Sequence, residues 1–292
     1  MPRRIGVAGW LLWVLATTLA AQPPAHHFLW SVRDEGGGIA HLVGSLHVLT
    51  PEFYPLSPEL ERTFEASKVL VEEVDLDEMN DPTAMLSLVG KAMFTDGRTL
   101  EESVSPATFA EVRRRADQAG VPLLALQRMK PWMAAVALTT PALQAAGFDP
   151  ELGLDKHFFE RAKKAGLERR ALETVRYQLD RFDELSPALQ ESLLTSTMAD
   201  LDTQTANVRV IARAWASGDV ATIERLMLSS VLDSAALYQR LLVERNHNWI
   251  PHIETCLQQK ASCFVVIGAA HLVGPDGLPT LLAKKGYTVE QK

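Results

Sequence analysis

Short runs rich in apolar and β-favouring residues at 28–32 and 39–43 predict two strands joined by the turn Asp34-Glu35-Gly36-Gly37-Gly38. A three-glycine turn has the composition to cradle a phosphate, but between two strands it reads as a hairpin. Further on, Ser57-Pro58-Glu59 places a capping serine, a first-turn proline and an acid in helix-start order. Leu60 and Phe64 then share one buried face. Residues 68–75 (KVLVEEVD) read as a strand. From about 81 to 243 the pattern turns helical. Ser105-Pro106 and Ser186-Pro187 repeat the start signature, and 107–119, 131–146, 154–165 and 187–217 carry helical spacing. The apolar runs 122–126 and 167–172 are candidate strands between them. Residues 233–259 predict one more long helix, which Pro251 should kink or divide. The all-apolar run 263–267 predicts a strand buried on both faces, followed by a helix over 278–285 and a strand over 287–290.

The two ends of this pattern resemble each other. The first runs strand, GSLH, loop, helix, strand; the last runs strand, GAAH, a loop with Gly274-Pro275-Asp276-Gly277, helix, strand. The expected fold class is therefore α/β (α+β): a central mixed sheet from two β-α-β units at the chain ends, with a helical insertion over about 81–243. Residues 22–292 are read as a single domain. In open α/β sheets, sites form beyond the carboxyl ends of the strands, where His47 and His271 both fall.

The first 21 residues stand apart. Arg3 and Arg4, an apolar run and a small-residue exit near Ala21 describe a secretory signal peptide over 1–21. The rival reading is a retained anchor, although about 17 apolar residues is the lower edge for spanning a bilayer. Cleavage removes two arginines and takes the net charge from −7 to −9. An acidic chain without basic patches argues against a nucleic-acid partner. Export to the periplasm or beyond also makes a Cys256–Cys263 disulfide plausible, with two unpaired thiols as the alternative. After cleavage no stable membrane insertion is expected.

Each histidine stands three residues past a glycine, Gly44 and Gly268, which permit a sharp turn and aim the ring into the crevice. In strand 68–75, alternation puts Glu73 and Asp75 on one face and Glu72 on the other, unless this is an edge strand with a solvated acidic face. His47, His271 and Glu73 make a minimal set for Mn, Fe, Co or Zn, and such an ion would activate water. Without metal, a histidine–carboxylate pair serves as general base. Glu173, after the run 167–172, is a candidate acid or base. Arg245 shares a helix face with Trp249 and could stabilise an oxyanion or hold a carboxylate. His26, His27, His41, His157, His247 and His252 show no interpretable spacing.

GSLHVL at 44–49, VLVEEVDL at 69–76, GLD at 153–155, LETVRYQL at 172–179, ERNHNW at 244–249 and VIGAAHLVGPDGL at 266–278 form an ordered set that resembles the TraB/GumN family. That family includes the pheromone-shutdown TraB proteins and the animal Tiki proteins, and this chain is most similar to its bacterial GumN-like branch. The resemblance implies a fold related to erythromycin-esterase-like and ChaN-like proteins. Tiki proteins are regarded as metal-dependent proteases, which implies two G-x-x-H ligands at His47 and His271, a strand glutamate at Glu73 and an Arg-Asn pair at Arg245 and Asn246. The leading expectation is an exported metal-dependent hydrolase, a peptidase. His47, Glu73 and His271 would hold Mn, Co or Zn; Glu173 would be acid or base; Arg245 and Asn246 would polarise the carbonyl of a peptide or small-molecule substrate. Two alternatives stand: a non-catalytic protein that sequesters a peptide or small ligand, and a metal-free His–Glu esterase-like hydrolase.

Overall fold

The expected hairpin is present. β1 (Leu29–Arg33) and β2 (Ile39–Ser45) pair antiparallel, Leu29 opposite Val43 and Arg33 opposite Ile39. In its turn Gly37 takes φ +84, and the Asp34 carboxylate accepts the Gly38 N–H at 2.7 Å. A side chain at Gly38 would collide with the Leu257 carbonyl, 2.1 Å from the would-be Cβ. The computed structural model describes residues 27–78, 81–232 and 234–292. The signal segment expected over 1–21 lies outside the described residues.

β3 (Val69–Glu72), β4 (Glu168–Ala171), β5 (Cys263–Gly268) and β6 (Thr288–Gln291) complete one mixed sheet, in the order β4-β3-β5-β2-β1-β6. β4, β3, β5 and β2 run parallel, while β1 is antiparallel to both β2 and β6. The two β-α-β units interlock. β2 crosses to β3 through helix Pro58–Ala66 and skips β5; β5 crosses to β6 through helix Leu278–Lys284 and skips β2 and β1. The crossovers run in opposite directions, so right-handed connections place their helices on opposite faces. Packing agrees. Phe264 meets Phe64 and Phe158 at ring separations of 5.3 and 4.8 Å, while Cys263, on the alternate face, is bonded to Cys256 in helix Glu244–Gln258. The connections leaving β2 and β5 therefore diverge, which opens a crevice between their carboxyl ends.

Ser57, Ser105 and Ser186 each accept a backbone N–H at a helix start, as their pattern predicts. The insertion packs part of its own core, with Leu100, Phe109, Val112, Leu126, Leu138 and Leu194 in one cluster. Its run 167–172 supplies β4, whereas the run 122–126 forms helix Leu123–Leu126, not a strand. Pro251 does not divide its helix. The backbone bond it forfeits lies between exposed His247 and Pro251, where water can take it. The irregularity comes earlier, as a π-helical turn over Gln239–Val243 just ahead of Arg245. Among the described residues no helix is long and apolar enough to cross a membrane. The Cys256–Cys263 disulfide ties a helix to the start of β5.

Candidate active-site cleft

β2 runs to Ser45, and within it Gly44 lets the Phe28 ring pack close, since a Cβ there would stand 2.2 Å from that ring. The Gly44 carbonyl accepts Trp215 Nε1 at 2.7 Å, and the chain leaves the sheet after Ser45 to bend at His47. The His47 side chain is 72% exposed, yet its Nδ1 bonds Asp155 Oδ2 at 2.8 Å. Asp155 Oδ1 accepts the Ser45 hydroxyl at 2.7 Å. Asp155 lies in the first turn of helix Leu154–Ala165, where the helix dipole favours an anion. Gly153 brings that helix close, because a Cβ there would stand 2.4 Å from the His47 carbonyl. Asp155 holds the His47 ring and, by charge and hydrogen bond, pushes its pKa up to about 9. With Nδ1 committed, Nε2 is the nitrogen available on the exposed ring.

Behind His47 lies a buried cluster. Arg245 is at its centre, and its Nη2 donates to Glu73 Oε2 at 2.6 Å and Glu173 Oε1 at 2.7 Å. Trp249, whose ring lies 4.6 Å from the guanidinium, donates its indole N–H to Glu173 at 3.0 Å. Arg245 Nη1 donates to His271 Nε2 at 3.1 Å. His271 Nδ1 therefore carries the proton and donates to Asn246 Oδ1 at 2.7 Å. Asn246 is oriented in turn by donating to the Asp276 carbonyl at 2.7 Å. Glu73 Oε1 accepts the Gly268 N–H at 2.7 Å, and Gln178 donates to Oε2 at 2.9 Å. Burial would raise the Glu73 carboxyl, but Arg245, the two histidines and the Gly268 N–H hold it at about 2. Burial, then Arg245, lowers His271 to about 3. Burial raises Glu173 despite its bonds to Arg245.

The alternation expected for 68–75 breaks down, because β3 stops at Glu72. Glu72 and Glu73 are both buried, while the Asp75 side chain is 44% exposed and 3.8 Å from Arg169. β3 is also not an edge strand, since it pairs with β4 and β5. Glu72, Glu73, Asp155, His47 and Gln178 line one cleft of about 200 Å³. Burial, then Asp155 and Asp75, pushes Glu72 up to about 9.

These shifts set a pH dependence of stability. Glu73, depressed from 4.5, stabilises the fold above 4.5, and that contribution is lost as pH falls toward 2. An unfolded His271 takes a proton below 6.5 that the folded ring refuses until about 3, so it too costs stability on acidification. Glu72 acts oppositely: the folded chain keeps a proton that the unfolded chain releases above 4.5, so stability is lost as pH rises toward 9. Glu72→Gln should gain on the parent protein by up to roughly 1.4 kcal/mol per pH unit across that window. Urea midpoints at several pH values measure this, and a constant difference between the two proteins would rule it out.

Of the residues singled out in the sequence, Glu73, Glu173, Arg245, Asn246 and His271 form one bonded cluster, and His47 stands in front of it. As arranged, His47, Glu73 and His271 do not fit a metal ion. Both Glu73 oxygens and His271 Nε2 already accept N–H bonds, and the Arg245 guanidinium is the cation between them. Among the described residues no group of three His, Cys, Asp or Glu side chains is arranged to hold one. Asp155, Gln178 and Glu72 escaped the sequence reading as site residues. Asp155, Gln178 and Glu72 lie inside the motifs GLD, LETVRYQL and VLVEEVDL, so the signal for them was membership in an ordered motif set; alternation assigned Glu72 to the opposite face from Glu73.

Two relatives named Uncharacterized protein YbaP, from Shigella flexneri and Escherichia coli (strain K12), are each 23% identical over 268 residues, covering 91% of this chain and 97% of theirs. No solved structure is significantly similar. The family model described as TraB/PrgY/gumN matches residues 28–291, which takes in both G-x-x-H elements and every residue of the cleft, and the chain belongs to that family.

Proposed function

We propose that this protein is a hydrolase in which His47, oriented by Asp155, activates water for attack on an amide or ester of a peptide or small molecule. The observation that carries this reading is the Asp155–His47 bond of 2.8 Å, with the ring exposed at the mouth of the cleft. A base held by a second group that is itself held by a third is the arrangement general-base catalysis needs. The water gives a proton to His47 Nε2 as its oxygen bonds the acyl carbon. The acyl–N or acyl–O bond then breaks, and the leaving group takes the proton back. Glu73 and the buried Arg245 cluster fix the wall behind the ring. The disulfide and the signal pattern together favour an exported protein, periplasmic or secreted.

A metal-dependent peptidase is the second reading. What favours it is that Arg245 keeps Glu173 as a partner if it releases Glu73 and His271, and His271 already presents Nε2 as an acceptor. Metal release separates the two. On the first reading, turnover of a peptide-amide and ester library by the purified chain survives exhaustive chelation and is lost in His47→Ala. Loss on chelation, with recovery on adding Mn, Co or Zn, would install the metal reading instead. Binding without turnover would make the protein a sequestering one.

A further inference from the structure

The cleft in front of His47 is rich in carboxyl groups. Glu72, Glu73 and Asp155 line it, and Glu173 lies behind, bonded to the Arg245 guanidinium. Three of these four carboxyls have partners. Glu73 is bonded by Arg245, Gln178 and Gly268; Glu173 by Arg245 and Trp249; Asp155 by Ser45 and His47. Glu72 is the exception. It is 5% exposed, it lines the cleft, and its Oε1 has no hydrogen-bond partner among the described residues. Arg169, the cation that acts on Glu72, is bonded instead to Asp77 at 2.9 Å. A buried carboxyl oxygen without a donor is costly and points to a group that is absent.

We propose that this corner binds a primary ammonium group, the free amino terminus of a peptide, with Glu72 Oε1 as its anchoring acceptor. An ammonium carries one charge and three donors, which suits one free acceptor beside partly used carboxylates, and its charge favours release of the proton that burial keeps on Glu72. A divalent ion would need several oxygens stripped of their present donors. Size supports a chain end: about 200 Å³ is below the roughly 300–1,000 Å³ of sites that enclose whole drug-sized ligands. Glu72 and His47 line the same cleft, so an amino terminus at Glu72 presents its first acyl groups to His47. This rests on the hydrolase reading for its chemistry but not for its binding.

The test uses tetrapeptide amides randomised at the first residue, one pool with free amino termini and one acetylated, equilibrated with the immobilised protein and quantified by mass spectrometry. Retention of the free pool should exceed the acetylated pool by at least tenfold, and Glu72→Gln should bring the ratio to within about twofold. Equal retention of the two pools, or retention of neither, overturns the proposal, and so does a preference that persists in a folded Glu72→Gln protein. Mn²⁺ titrated alone provides the other arm: Glu72-dependent metal binding with no free-amine preference assigns the corner to a cation of a different kind and also overturns it. Free-amine preference without turnover would keep this inference and sink the hydrolase.

Discussion

Asn in place of Asp155 should lower kcat by about 10²–10⁴-fold with KM changed little, because its loss removes the group that orients the base and fixes its tautomer. His47 Nδ1 bonds Asp155 Oδ2 at 2.8 Å, so once the ring is neutral, above about 9, it keeps its Nδ1–H and offers the Nε2 lone pair. An asparagine can instead donate to Nδ1, which leaves the proton on Nε2, the wrong nitrogen for a base. His47→Ala should cost a similar factor. The double variant should cost little more than either, since groups that act as a unit lose their effect together. Additive losses would mean that the two residues act separately. A pH profile gives a second readout. The base must be neutral, so kcat/KM should rise through His47's own ionisation, held up to about 9 by Asp155. In Asp155→Asn the limb of the residual activity should move down toward 6.5, the ordinary histidine value. A limb that stays in place would show that His47 is not the group being titrated.

Much of this arrangement was readable in the chain. Both G-x-x-H elements end neighbouring parallel strands, and two β-α-β units do share one sheet. Their interlocking was not readable. Periodicity says that a segment is a strand but not which strand lies beside it, and the insertion of β5 between β2 and β3 is what brings Gly268 against Glu73. Glu72 shows a different failure. The two-residue period was extrapolated beyond a strand that stops at Glu72, and once the strand ends, alternation assigns no faces. Pro251 shows a third. Its cost depends on whether the orphaned carbonyl reaches water, and exposure is a property of packing. Asp155 was present only as one letter of a motif, because its partner, His47, is more than a hundred residues earlier in the chain and is reached only through the fold.

Arg245→Met should destabilise the protein by about 3–5 kcal/mol, the usual cost of leaving buried carboxylates without their cation. The Arg245 side chain is 8% exposed, and those of its partners Glu73 and Glu173 are 9% and 4% exposed. Removing the guanidinium leaves both acids in a low-dielectric interior with only Gln178, Trp249 and the Gly268 N–H to offset them. It also strips the donor from His271 Nε2. Lysine should rescue only in part, since a point charge cannot span Glu73, Glu173 and His271 as a planar fork does. Adding Glu173→Gln to Arg245→Met should recover stability, because one of the two stranded charges disappears; losses that simply add would mean the pair is not coupled. Arg62→Met sets the scale. That residue pairs with Glu59 at 2.7 Å on the surface, with side chains 67% and 39% exposed, and its loss should cost less than about 1 kcal/mol. Urea midpoints at constant m-value report these variants, Glu173→Gln alone and the parent protein. An Arg245→Met protein as stable as Arg62→Met would mean that the two acids take up protons at little cost, and the guanidinium would then not be what keeps Glu73 charged beside His47.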